Sequence, residues 1–110
     1  MKAQHVILVS SILAASALTR QRFVGFDGNP CADGAVALGA VEVDTDAGNM
    51  APTNVTGILL VESGAAVAVG VEVQSDASGR AIPKAAGISN GYALDAASAA
   101  GELIRIVRGI

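Results

Sequence analysis

Short apolar runs alternate with turn-forming residues at spacings of roughly ten positions, the pattern of an all-β sandwich or barrel. His5–Ser10 is the first such run, rich in β-branched residues that suit a pleated surface. Arg22–Phe26 follows and is closed by Asp27-Gly28-Asn29-Pro30. Those four are turn residues for different reasons: Gly tolerates positive φ, Pro fixes φ, and Asp and Asn bond their own backbone. Val36–Asp44 ends in Val-Glu-Val-Asp, the alternation of a half-buried strand, before a turn at Asp46–Asn49. Thr53–Glu62 is the most apolar run and is expected to be central, with Gly57 marking a bulge or a close backbone approach. Val67–Ser75 leads through the turn Asp76–Gly79 into Arg80–Pro83, which reads as a hairpin. Ile88–Leu94 and Glu102–Val107 complete the set. Between them, Asp95 is an N-cap candidate ahead of an Ala-rich stretch that Gly101 would end, so a short helical turn is allowed near 95–101. The expectation is a single all-β domain over residues 1–110. It is a small β-barrel or compact β-sandwich of about 7–9 short strands.

Two stretches, 34–47 and 64–77, are identical at seven of fourteen positions and share Val-Glu-Val followed by a turn. They read as two equivalent hairpins, although chance similarity competes in a chain so rich in Ala, Gly and Val. Two copies are too few for a solenoid.

Composition narrows the functional classes. Ala, Gly and Val supply 48 residues, while hydrophobic residues make up 52% and charged residues 15%. The apolar character therefore rests on small side chains, yet enough Leu, Ile, Val and Phe remain for a core. Aromatics amount to Phe23, Phe26 and Tyr92. With seven basic residues and a net charge of −3, a base-stacking or phosphate-binding platform is not expected. A single Cys excludes an internal disulfide, and one His with one Cys excludes a His/Cys-rich zinc site. Seventeen charged residues are few for the surface of a monomer, which points to contact with other chains. The charges are then expected to gather where the surface stays wet.

The candidate chemistry is thin. Gly87-Ile88-Ser89-Asn90-Gly91 spells the nucleophile-elbow string, but that elbow needs a strand–turn–helix and a His later in the chain. His5 lies far upstream, so Asn90-Gly91 reads better as a tight turn. Asp44–Asn49 lacks the Gly and Glu of a calcium loop, and Gly34 and Gly39 lack the Lys of a phosphate loop. Cys31, with no basic neighbour to lower its pKa, reads as a partly exposed structural thiol. No catalytic, cofactor-binding or metal-ligating residue is expected, and no cofactor.

The N-terminus admits two readings. Lys2, the apolar stretch Val6–Ala15 and Ala15-Ser16-Ala17 resemble a cleaved secretory signal. Ser10 and Ser11 interrupt that stretch, and it is too short to span a membrane as a helix. A first β-strand is the favoured reading; the alternative is a secreted or periplasmic β binding module.

The ordered segments MKAQHVIL, SALTRQRFVGF, ALGAVEVDTDAG, GILLVESGAAVAVGVEVQSDASGRAIP and GYALDAASAAGELIRIV cover nearly the whole chain. In that order they resemble the small Ala/Gly-rich capsid cement (decoration) proteins of tailed phages and prophages. The resemblance implies a non-enzymatic virion protein on the capsid exterior, made in the host cytoplasm. Its implied partners are the major capsid protein and its own copies, as a homotrimer or a dimer, with neither nucleic acid nor membrane. Extended termini and edge strands are natural contact elements. The first nine residues, as arm or first strand, are accordingly the expected contact segment, with Lys2, Gln4, His5, Val6, Ile7 and Leu8 as candidate contacts.

Overall fold

The computed structural model describes residues 2–109. Among them lie eight strands and no helix: β1 (His5–Leu13), β2 (Phe23–Val24), β3 (Gly39–Val41), β4 (Met50–Glu62), β5 (Val73–Ser75), β6 (Ala81–Pro83), β7 (Tyr92–Ala93) and β8 (Leu103–Arg108). Six form one curled, half-barrel sheet in the order β2-β3-β4-β8-β7, with β1 also on β4; β5 and β6 form a small second sheet. All strand pairings are antiparallel.

β4 organises the fold, as its apolar run suggested. Thr53 and Asn54 pair with both β1 and β3, and Gly57 and Ile58 pair with both β1 and β8. A residue has two backbone edges, so β1 occupies one edge of β4 while β3 and β8 follow one another along the other. Alternation along β4 and β8 is strict where they meet. Leu59, Val61, Ile104 and Ile106 are fully buried, while Leu60, Glu62, Arg105 and Val107 are half-buried.

Leu59, Val61, Ile104 and Ile106 join Phe23, Cys31, Val67 and Val73 and a set of alanines in the main core; Leu18, Val24 and Val41 centre a smaller cluster. The alanines let the curled sheet and its loops approach closely. Gly39 and Gly57 carry this furthest: a Cβ on Gly39 would strike the Asn54 carbonyl, and one on Gly57 the His5 carbonyl. Gly57 also has φ of 111°, which L side chains rarely adopt. The close approach expected there is present.

Other expectations shift. β1 runs three residues past Ser10, to Leu13, because Ser11 and Ile12 continue the ladder opposite Pro52 and Ala51. The Val36–Asp44 run supplies strand only at Gly39–Val41, and Val43 is exposed on the loop beyond. The two echo segments are not equivalent. Val41 is buried and Val43 exposed, whereas their counterparts Val71 and Val73 are half-buried and fully buried. Asp76–Gly79 does join β5 to β6, with the Asp76 carboxylate accepting the Ser78 and Arg80 amides at 2.9 and 2.8 Å. Asn90-Gly91 is not a tight turn. It runs beside β5, where the Asn90 amide donates to the Val73 carbonyl and the Val73 amide to the Gly91 carbonyl. Residues 95–101 form bends and a turn without a helix.

Candidate contact surface

The six expected contact residues lie together at the start of the chain but do different jobs. Lys2 is exposed, and its ammonium donates to the Leu103 carbonyl at 2.6 Å. Gln4 is half-buried; its Oε1 accepts the Leu60 amide at 3.0 Å and so extends the β1 side of the β4 ladder by one side-chain bond. Its Nε2 donates to Glu42 Oε2 at 3.3 Å. His5 is exposed opposite Ile58, and Val6 is half-buried against the main core opposite Gly57. Ile7 and Leu8 point to solvent, 78% and 50% exposed. From His5 onward the segment is the first strand of the sheet, while Lys2 and Gln4 precede it and are tied down by side-chain hydrogen bonds. Gln4 and Val6 hold it in place; Ile7 and Leu8 face outward.

The exposed apolar surface continues beyond the six candidate residues. Val9 and Leu13 on β1, and Met50 opposite Leu13, are each 57% exposed. Register shifts on either side of Leu8 leave Ile7 and Val55 without opposite partners. Bulges of this kind bend a strand and raise its twist. Among the described residues β1 pairs with β4 alone, so its outer edge carries no strand there; past Leu13 the Ala15 amide donates to the Gly28 carbonyl. Residues 3–19 and 47–61 contain no Asp, Glu, Lys or Arg. The whole β1–β4 ribbon as far as Val61 therefore holds no Asp, Glu, Lys or Arg.

Charges collect elsewhere. Glu62 bridges Arg22 at 3.2 Å and Arg80 at 3.7 Å, and Arg80 continues to Asp76 at 3.2 Å. Asp95 accepts two guanidinium bonds from Arg105 at 2.9 Å, which hold its pKa down at about 2. Hydrogen bonds from Ser98 and Ala99 likewise lower the pKa of Glu102.

Arg108 has a structural task that sequence reading missed. Its guanidinium donates to the Leu38 carbonyl at 2.6 Å, to the Val55 carbonyl at 2.8 Å and to the Ala37 carbonyl. Val55 lies between the part of β4 that meets β3 and the part that meets β8. Arg108 fills that seam, and burial pushes its pKa down.

A cleft of about 480 Å³ opens beside this seam, lined by Thr56, Glu72, Ser89, Tyr92 and Arg108 among others. Ser89 there bonds the Gly91 carbonyl at 3.4 Å, and His5 lies across β4 on its opposite edge. The elbow string is accordingly neither strand–turn–helix nor near the histidine. Tyr92 carries a raised pKa because of its hydrogen bond to Glu72. Cys31 is fully buried, not partly exposed: it packs in the main core, with its thiol against the Ala35 carbonyl at 3.4 Å, and burial pushes its pKa up. Pro30 and the turn residues around it had suggested exposure, but the Cys31 amide donates to the Phe23 carbonyl and draws the residue inward.

The distinctive surface of this all-β module is thus a neutral, apolar sheet edge. The family model for phage cement proteins matches residues 1–108, and the chain belongs to that family of structural phage proteins. Its fold is similar to that of the N base of head fiber gp8.5 from bacteriophage phi29. The TM-score there is 0.75 at 21% identity, over 93% of each chain. No curated protein matches.

Proposed function

We propose that this protein binds the outer surface of the phage capsid lattice, contacts the major capsid protein and stabilises the head after expansion. It acts without catalysis and in several copies, a homotrimer or a dimer, on the exterior of virions assembled in the host cytoplasm. The observation that carries this reading is membership of the cement family along almost the entire chain, residues 1–108. The likeness to the base of a phage head fiber agrees with it. The physics agrees as well: a small module needs only weak individual contacts if several copies engage a repeating lattice together.

Co-sedimentation with expanded, undecorated heads tests the reading. Saturable occupancy, with decorated heads surviving heating that bursts bare ones, is the expected result. Heads that sediment without the protein overturn it.

A further inference from the structure

We infer that Asn90-Gly91 is a deamidation site that the fold holds closed. Conversion of Asn90 waits for the 89–91 segment to open, and it then removes a bond that the segment needs in order to close again.

Asn is a thermolabile residue, and in an unstructured chain it deamidates fastest before Gly, which has no side chain to hinder its own amide nitrogen. The Gly91 nitrogen, having lost its proton to base, attacks Cγ of Asn90. The new Cγ–N bond closes a cyclic imide, the Cγ–Nδ2 bond breaks, and Nδ2 leaves as ammonia. Water then opens the imide at either carbonyl, giving Asp or isoaspartate at position 90. Water and base are the only other reactants.

The attack brings Cγ onto the Gly91 nitrogen, and the fold opposes this from two sides. Asn90 is 2% exposed; its Oδ1 accepts the Ala37 amide at 3.0 Å and its Nδ2 donates to the Ala35 carbonyl at 3.0 Å. The backbone is held as well. The Asn90 amide donates to the Val73 carbonyl at 2.7 Å, and the Gly91 carbonyl accepts the Val73 amide at 2.9 Å. Gly91, at φ of 141°, presses so closely on β8 that a Cβ would lie 2.8 Å from the Val107 carbonyl. Cyclisation moves the carboxamide off Ala35 and Ala37 and turns backbone that β5 and β8 clamp. It therefore proceeds from the locally opened segment.

The product does not fit the place that Asn90 leaves. An oxygen then stands where Nδ2 donated to the Ala35 carbonyl, so two acceptors meet, and a negative charge is buried. Arg108 lines the same cleft, but its guanidinium is engaged by the Ala37, Leu38 and Val55 carbonyls. Isoaspartate also lengthens the backbone between the two bonds to Val73. A chemical change in the open state thus makes opening irreversible.

Site-resolved mass spectrometry of the full-length protein, held at mildly alkaline pH either folded or in guanidinium chloride, tests the closure. Conversion at position 90 is expected to be slower in the folded protein by on the order of a hundredfold or more, as for other protected segments. Equal rates overturn the inference. Asn90→Asp installs one product and tests the return step. It is expected to lower the guanidinium midpoint or to abolish folding, and a midpoint equal to the parent's overturns that step. A half-converted sample returned to folding conditions reads the same step in one tube. Chains carrying Asp or isoaspartate at position 90 should be depleted from the protease-resistant fraction; equal representation there overturns the return step as well.

Discussion

β1 and β8 flank β4 on opposite edges, and the more apolar of the two is the more exposed. Six of the nine residues of β1 are Val, Ile or Leu, yet none is fully buried. β8 has four apolar residues in six and two charged ones, yet Ile104 and Ile106 are at 0% exposure. The difference lies in arrangement. β8 alternates, with Ile104 and Ile106 on one face and Arg105 on the other, tied to Asp95. β1 carries the unbroken run Val6–Val9, which no one-sided strand can bury. An alternating strand is finished by the fold of its own chain; a continuous apolar strand with core on one side leaves surface for something else.

That contrast can be broken in graded steps. Ile106→Ala should have the largest effect, since it empties a fully enclosed site: about 2–5 kcal/mol lost in chemical denaturation. Gly57→Ala comes next, at about 2–4 kcal/mol, because the new Cβ meets the His5 carbonyl at a strained φ. Its signature is regional: hydrogen exchange should rise in β1 amides before those of β8. Arg108→Met should cost about 1–3 kcal/mol by stranding the Ala37, Leu38 and Val55 carbonyls at the β3–β8 seam. Equal protection loss in β1 and in β3 would show that the seam is not where Arg108 acts.

Acid provides a smaller, signed effect on the β8 side. The pKa of Asp95 is lowered to about 2 from an ordinary 3.8, so its pairing with Arg105 contributes stability fully above about pH 4. That contribution is lost as pH falls through the folded value near 2. Asp95→Asn should flatten this part of a stability–pH curve measured at low salt; an unchanged curve would contradict the assignment. The smallest expected effect is Ile7→Ala, within about 0.5 kcal/mol of the parent at concentrations where the protein is monomeric. Set beside Ile106→Ala, it isolates the contrast: the same deletion of apolar atoms, with and without surrounding protein.

Much of this architecture was readable residue by residue. Asp76–Gly79 announced its hairpin, because Asx and Gly turn chemistry acts within four residues. Gly57 announced a close approach, and β4 its central place. The residue runs Val36–Asp44 and Ile88–Leu94 promised longer strands than β3 and β7 provide. In a chain so rich in Ala, Gly and Val, local preference does not distinguish a paired strand from an extended loop. Of the candidate contact residues, Ile7 and Leu8 face solvent, whereas Gln4 and Val6 are half-buried against the fold. Leu13 and Met50, outside the expected segment, were missed, because exposure cannot be inferred from an apolar side chain.

The sequence by itself determined an all-β chain of short strands, its turns, and the lack of charge along residues 3–19, since these depend on neighbours in the chain. Only the tertiary structure decided which apolar strand is core and which is rim. It placed Cys31 inside, set Arg108 in the seam between β3 and β8, and left one edge of β1 open. Burial is a relation between segments far apart in sequence: Ile106 lies opposite Leu59, while among the described residues no strand lies opposite the outer edge of β1.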